Sequence, residues 1–350
     1  MGVAWLLSEP EDSWNTYLPG IGLRSECTQV ICKNKLTRMK INLPCILLFA
    51  SLLGACSGHK TFKSDLMGMG LNGKVKSLTE TSYYAIASAG ALTKGKQGEQ
   101  DFPWSESRYD FNTEGNFLTH NAYNPDGSLV FQQLYKYNGK GLKIEATYYY
   151  RLGTDSLRER TVYKYDSAGK LTDLKTYDLI GLLDRRFAYK YDNAGNLTET
   201  YSYDYDDNID STSVNRLDSH GNCIETTIRN ADSSLKNKST STYDDKGNKL
   251  VFNLYNADGS LRYKSTYKYD KKGKKTEFAK YVSDSLVEKQ IFLYDKNEIL
   301  TGQEVFKADG RLETKLTFEY VFDNQNNWIK RTELNFNIPK YIVERTIKYY

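Results

Sequence analysis

The chain has 350 residues, 39% hydrophobic and 26% charged, with 48 basic against 44 acidic residues and a net charge of +4. Near balance of charge excludes the basic excess of a dedicated nucleic-acid binder. With 3 His and 5 Cys there is little material for a metal centre or a thiol enzyme, and no cofactor is expected.

Residues 1–38 are irregular and hold Cys27 and Cys32 without a partnering motif. Met39 and Lys40 then open an apolar run to Ala55, of secretory-signal length and too short for a comfortable membrane span. It ends in Leu53, Gly54, Ala55 and Cys56, a pattern that resembles a bacterial lipoprotein signal. The small residues admit the backbone to a peptidase, and the Cys thiol takes up the lipid. The resemblance implies that Cys56 is the lipidated first residue of the mature protein and that the membrane is a partner through this anchor. Residues 1–38 are then expected to be a start-site artefact, 39–55 the signal peptide, and 56–72 the lipidated N-terminus and tether. Ser57 stands where an inner-membrane retention signal has Asp, which implies an outer-membrane lipoprotein of a Gram-negative bacterium. The periplasmic face and the cell surface both remain open. Cys223 is the one other cysteine of such a mature chain, so no disulfide framework can form within it.

The stretch 73–108 is expected to form a first hairpin, GKVKSLTETSYYAI followed by a long Gly/Ser/Lys-rich loop within 87–107. Gly90 to Lys96 meets most of a phosphate-loop pattern, but Gln97 replaces the Ser or Thr that would bind magnesium, so nucleotide binding is not expected.

Residues 109–350 are a repeat. Tyr-Asp or a variant begins at Tyr109, Tyr137, Tyr165, Tyr191, Leu217, Tyr243, Tyr269, Tyr294 and Phe322, at intervals of 25 to 28 residues. Each unit carries two turn signals, such as YDNAG at 191–195 and NADGSL at 256–261. Asp or Asn can cap the turn backbone, and Gly supplies the positive φ. Two turns per ~26 residues leave strands of about eight residues. Leu183, Tyr189 and Tyr191 share one strand face, as do their counterparts in other units, while Lys136, Lys164, Lys190, Lys268 and several Arg occupy the other. The return strands read irregularly: Leu197 to Tyr203 and Leu250 to Leu254 take opposite phases relative to their Gly. The fold class is all-β, an antiparallel β-meander of about 18–20 strands. So wide a sheet must curl into a spiral or barrel-like shell, with Tyr and Leu inward.

The units YKYDSAGKL, YKYDNAGNL and YKYDKKGKK resemble the YD repeats of the Rhs family, and the layout resembles YD-repeat lipoproteins of Bacteroidetes. The resemblance covers roughly residues 105–350 and implies a β-shell. No toxin domain is visible, so an encapsulating role does not carry over.

Candidate chemistry is sparse. Asp204, Asp206, Asn208 and Asp210 have the D-x-D-x-N-x-D spacing of a calcium loop, but Ile209 stands at the sharp-turn Gly position and Asn215 at the closing Glu position. An enlarged solvated turn is the preferred reading. His220 and Cys223 form H-x-x-C, with Cys223 in the slot of Leu197 and so read as a small core hydrophobe. The repeated Asp residues serve turn geometry, and no catalytic residues are assigned. The rows of Tyr135, Tyr163, Tyr189 and Tyr267 suit either a core or a platform for sugar rings. The expected function is a non-enzymatic binding or scaffold module of the cell envelope for a glycan or another envelope protein. The alternatives are a structural spacer and, third, a carbohydrate-active enzyme.

Overall fold

The computed structural model describes residues 64–88, 90–98, 105–152 and 155–350. The expected signal peptide, the boundary at Met39 and Cys56 lie outside them. One helical turn, α1 (Asp65–Gly68), precedes β1 (Val75–Ser88), β2 (Ala91–Gln97), β3 (Glu106–Phe111), β4 (Phe117–Tyr123) and β5 (Leu129–Tyr137). There follow β6 (Lys143–Leu152), β7 (Asp155–Tyr165), β8 (Leu171–Tyr177), β9 (Leu183–Tyr191), β10 (Leu197–Tyr203), β11 (Ile209–Leu217), β12 (Cys223–Asn230) and β13 (Leu235–Tyr243). The last are β14 (Lys249–Asn256), β15 (Leu261–Tyr269), β16 (Lys275–Val282), β17 (Ser285–Tyr294), β18 (Leu300–Lys307), β19 (Leu312–Phe322), β20 (Trp328–Asn335) and β21 (Ile338–Tyr349).

From β3 to β21 each strand pairs antiparallel with its sequence neighbour. The chain then returns to its start: β21 pairs with β1 from Val75↔Tyr349 to Tyr84↔Tyr341, and β1 pairs with β3 from Ser77↔Asp110 to Thr81↔Glu106. Twenty strands, β1 and β3–β21, close a barrel of meander order. β2 makes a hairpin with the far half of β1, from Tyr83↔Gln97 to Ser88↔Ala91. The region read as a long loop after the first hairpin therefore contains a strand.

The two turn signals of the sequence build one structure. Gly169 N–H donates to Asp166 O at 3.1 Å and Asp166 N–H to Lys170 O at 2.9 Å, with Gly169 at φ 84. This is a type I turn followed by a left-handed bulge residue, and the register shifts by one beside Tyr165. Asp166 Oδ1 also accepts from Lys170 N–H. The same bonds recur at the opposite end, in Asn256–Ser260 for instance. The irregular phase of the return strands dissolves here, because the bulge fixes the register equally in β10 and β14. Thr200 and Phe252 both stand five residues after their Gly and both face inward, opposite Tyr189 and Ser265. Residue content changes between the two strands and register does not.

Burial separates the faces. Leu78, Tyr109, Phe131, Leu174, Phe187, Tyr263, Tyr267, Phe292 and Phe318 are buried along the inward face. The outer face carries cross-strand ion pairs, among them Lys136–Glu145 at 2.7 Å, Lys190–Glu199 at 3.1 Å, and Glu277 held between Lys268 and Lys289 at 2.8 and 3.0 Å. The Tyr of the repeat ties neighbouring hairpins together at one end of the barrel. The hydroxyls of Tyr165, Tyr191 and Tyr243 donate to the carbonyls of Lys143, Leu171 and Cys223 at 2.7–2.8 Å.

The N-terminal segment is fixed at that same end. Leu66 is buried and its N–H donates to Gly115 O at 2.9 Å. Asn72 and Asn327 bond reciprocally at 2.7 and 2.9 Å. Residues 64–72, part of the tether expected over 56–72, are thus docked on the barrel, and residues 56–63 lie outside the described residues. At the seam, Arg345 Nε donates to Glu80 Oε2 at 2.8 Å, both buried, and the guanidinium stacks 3.4 Å from the centre of the Trp328 ring. Removing one member of such a pair takes away a hydrogen-bonded counter-charge in a low-dielectric interior. Arg345→Ala is expected to destabilise the barrel by about 3–5 kcal/mol in urea unfolding. Glu80→Leu combined with Arg345→Met should recover most of that loss.

Candidate functional site

The inward face is where the repeat presents aromatic side chains, and it is also where the repeat is broken. Two residues before the Tyr-Asp positions from Tyr137 to Phe322 the row runs Tyr135, Tyr163, Tyr189, Asn215, Ser241, Tyr267, Phe292 and Tyr320. Six of these eight slots are aromatic; Asn215 and Ser241 are not. Several neighbours across the strands are small and polar as well, although Ile228 faces Ser213 and Leu254 faces Ser239. Thr200 faces Ser213, Asn215 faces Thr226, and Thr226 faces Ser239. Thr200, Ser202, Ser213, Asn215, Thr226, Ser239 and Ser241 therefore form a strip of hydroxyl and amide groups across β10 to β13, half-buried except for the more deeply set Asn215.

Aromatic rings border the strip on both sides. Tyr189 and Phe187 lie opposite Thr200 and Ser202 on one flank. Phe252 lies opposite Ser241 on the other, with Tyr263 at 5.8 Å between ring centres. Within the strip, Thr226 Oγ1 donates to Asn215 Oδ1 at 3.1 Å, and Asn215 Nδ2 donates to Leu197 O at 3.2 Å. Leu197 O occupies the place of the carbonyl that a repeat Tyr hydroxyl binds in other units. Here that Tyr is Leu217, which has no donor, and Asn215 supplies the bond instead.

The sequence-predicted residues fall as follows. Tyr135, Tyr163, Tyr189 and Tyr267 all face inward, with Tyr267 buried and the others half-buried. Burial pushes the hydroxyls of Tyr135, Tyr163 and Tyr189 above the usual phenol range. Tyr135 OH donates to Gln133 Oε1 at 2.5 Å. Asp204, Asp206 and Asn208 sit on a turn of ordinary length and Asp210 in β11 just after it, with Asp207 at φ 61 in the usual Gly position. The Asp204 carboxylate accepts the N–H groups of Asp206 and Asn208 at 2.9 Å, and Asp207 pairs with Arg186 at 3.2 Å. The turn is not enlarged, and its carboxylates are not gathered around a common point. Among the described residues no group of three or more His, Cys, Asp or Glu side chains is arranged to hold a metal ion. Cys223 is buried, with Sγ 3.4 Å from Glu225 O, while His220 is exposed on the turn before it. Ala91–Lys96, most of the phosphate-loop approximation, lies in β2, where Lys94 pairs with Glu344 at 2.9 Å.

The strip itself escaped the reading of single motifs. Its signal was a substitution pattern, Asn215 and Ser241 in a Tyr row, visible only when the units are aligned on their turns. The buried His120 was missed too. It stacks on Tyr109 at 4.2 Å, places Nδ1 3.4 Å from Gln133 Oε1, and leaves Nε2 without a partner.

No family model matches the chain, and no curated protein is similar to it in sequence. Solved structures are similar at low identity. A porin-like protein from Bacteroides uniformis ATCC 8492 shares 10% identity at a TM-score of 0.33, over 78% of this chain and 96% of that one. A porin-like protein from Bacteroides vulgatus ATCC 8482 shares 9% at 0.27, over 79% and 98%. The TcdB2-TccC3-Cdc42 structure shares 12% at 0.26, over 65% of this chain and 15% of that one.

Two outcomes follow from this geometry. Millimolar calcium should leave the melting midpoint of the wild-type chain and of Asp206→Ala unchanged. For His120, burial lowers the imidazole pKa from 6.5 to about 3, against the opposing hydrogen bond to Gln133. The folded state therefore refuses a proton that the unfolded chain accepts, so this stability is complete above pH 6.5 and is lost as pH falls toward the folded value. Unfolding free energy should drop by about 2 kcal/mol between pH 7 and pH 5. His120→Gln should flatten that slope.

Proposed function

We propose that the chain is a YD-repeat lipoprotein of the bacterial cell envelope, anchored through Cys56 and sorted to the outer membrane. Its barrel acts as a non-catalytic binding module for a glycan. The observation that carries this reading is the break in the aromatic row. A uniform spacer has no use for replacing Tyr by Asn215 and Ser241 on two successive units while keeping every turn intact. A strip of hydroxyls and amides between aromatic walls is the chemistry that recognises sugars, whose hydroxyls need hydrogen bonds and whose ring faces need apolar surface.

Two further features support parts of the proposal. The outer face is laced with Lys–Glu pairs, whereas a barrel embedded in lipid presents an apolar band outward. That favours a barrel standing in water and held by a lipid over one inserted in the bilayer. The repeated Asp carboxyls are committed to their own turns. Asp192 accepts the backbone N–H and the side-chain amide of Asn196, which hold it below the ordinary carboxylate range. Such a group suits geometry rather than the raised-pKa role of a general acid.

The test is a thermal-shift screen of the purified chain against envelope and host glycans and peptidoglycan fragments. One glycan class should raise the midpoint saturably, by about 2.7 kcal/mol of added stability at a hundred times its dissociation constant. Ser213→Leu with Ser239→Leu, which fills the strip, should abolish the response. A flat response to every glycan would reject the reading.

A further inference from the structure

The end of the barrel opposite Ser64 is not uniform. Most of its turns are polar, as in Asn124–Ser128, Asn230–Ser234 and Asn256–Ser260. The β16–β17 turn exposes Val282 and the β20–β21 turn Phe336 and Ile338, but two adjacent hairpins gather five such side chains. The β8–β9 turn presents Leu179, Ile180 and Leu182, and the β10–β11 turn presents Tyr205 and Ile209. All five are exposed, Ile180 by 79%, Leu182 by 55% and Tyr205 by 50%. The two turns are held side by side, because Arg186 on β9 bonds Asp207 in the second turn at 3.2 Å and Asp173 on β8 at 2.7 Å.

Local folding does not need these apolar tips. Asp178 Oδ1 accepts from Ile180 N–H at 3.1 Å and Leu182 N–H at 2.9 Å, so the turn closes through its backbone as the polar turns do. An apolar side chain at a turn tip forgoes water without gaining core contacts. A cluster of five such residues on neighbouring tips marks a surface that is covered in use.

Charge says what covers it. Residues 178–186 and 203–210 contain six Asp (178, 184, 204, 206, 207 and 210) against Arg185 and Arg186. An apolar patch in an acidic frame repels anionic lipid and complements cationic side chains around an apolar anchor. The chain also joins the barrel at the other end, where Leu66 and Asn72 dock, so this rim faces away from the point of attachment.

We propose that the rim built from the 178–182 and 204–209 turns is a docking surface for another envelope protein, which inserts an apolar segment flanked by Lys or Arg. The contact is separate from the luminal strip and does not require it to bind sugar.

The test uses the full chain in detergent and a fluorescein-labelled 14-residue amphipathic Leu/Lys peptide, with a Leu/Glu peptide as counterpart. Fluorescence anisotropy should show saturable binding of the Leu/Lys peptide, weakened by added salt. Ile180→Ser with Leu182→Ser should weaken it at least tenfold, and so should Asp184→Asn with Asp206→Asn. These exposed substitutions should leave the melting midpoint and any glycan response intact, which separates failure here from failure of the glycan reading. Equal binding by the variants, equal binding of the Leu/Glu peptide, or no binding of the Leu/Lys peptide overturns the proposal. So does co-sedimentation with phosphatidylglycerol vesicles, or a concentration-dependent dimer, that Ile180→Ser with Leu182→Ser removes while peptide binding stays unchanged.

Discussion

Everything in this barrel depends on the pairing of β1 with β21. Hairpins β3 to β21 form between residues close in sequence, and each can assemble locally. Val75 and Tyr349 are the opposite case, near the two limits of the described chain, and their pairing is what turns a strip of hairpins into a closed wall. Without it β1 and β21 would present open edges, the hazard that closure removes. The seam is accordingly built from different chemistry than the rest. Glu80 and Arg345 face each other across it, Trp328 covers the guanidinium, and Asn72 and Asn327 clasp its end. A one-residue slip would move Arg345 to the other face, away from both Glu80 and Trp328, so the buried pair specifies register even where its net contribution to stability is small.

The repeat supplies the remainder from one rule. A type I turn with a left-handed bulge residue closes almost every hairpin, and the strand between turns sorts alternate residues to two faces. Because the bulge sits at a constant distance from the turn, equivalent positions face the same way in every unit. The outer face then balances Lys against Glu or Asp pair by pair, each pair contributing little on its own, while the inner face carries the apolar burial.

This is why so much was legible in the sequence. The period, the turns, the strand count and the shared face of Leu183, Tyr189 and Tyr191 follow from spacing alone. The carboxylate partners of Lys136 and Lys268 were less visible, because they are set by cross-strand register, which one bulge shifts. The apparent phase conflict between β10 and β14 has the same source: alternation read straight through the bulge gives the two strands opposite phases, whereas Thr200 and Phe252 share the inward face. β2 was hidden because ALTKGKQ has neither the alternation nor the aromatics of a core strand, being paired on β1 and exposed along most of its length. The calcium-like spacing at 204–210 misled in the other direction. Its acidic residues are those an Asp-capped turn uses, with Asp207 taking the left-handed position that Gly holds elsewhere.

A closed repeat also determines where function can be written. Since each slot is one panel of a wall whose frame is fixed by turns and backbone, replacing a panel costs only the local contacts. Asn215 shows the adjustment, taking over the carbonyl bond that Leu217 cannot make and leaving β11 in register with β12. The largest departures from the repeat are neighbours. The apolar turns at 178–182 and 204–209 and the polar strip of β10 to β13 fall on consecutive hairpins, while Phe336 and Ile338 leave a smaller apolar tip at the β20–β21 turn beside the seam. A repeat drifting without constraint would lose its aromatics anywhere around the circumference. The strip and the largest apolar rim thus share one sector of the wall, the sector that the proposed recognition uses, while the β1–β21 pairing holds the ring closed.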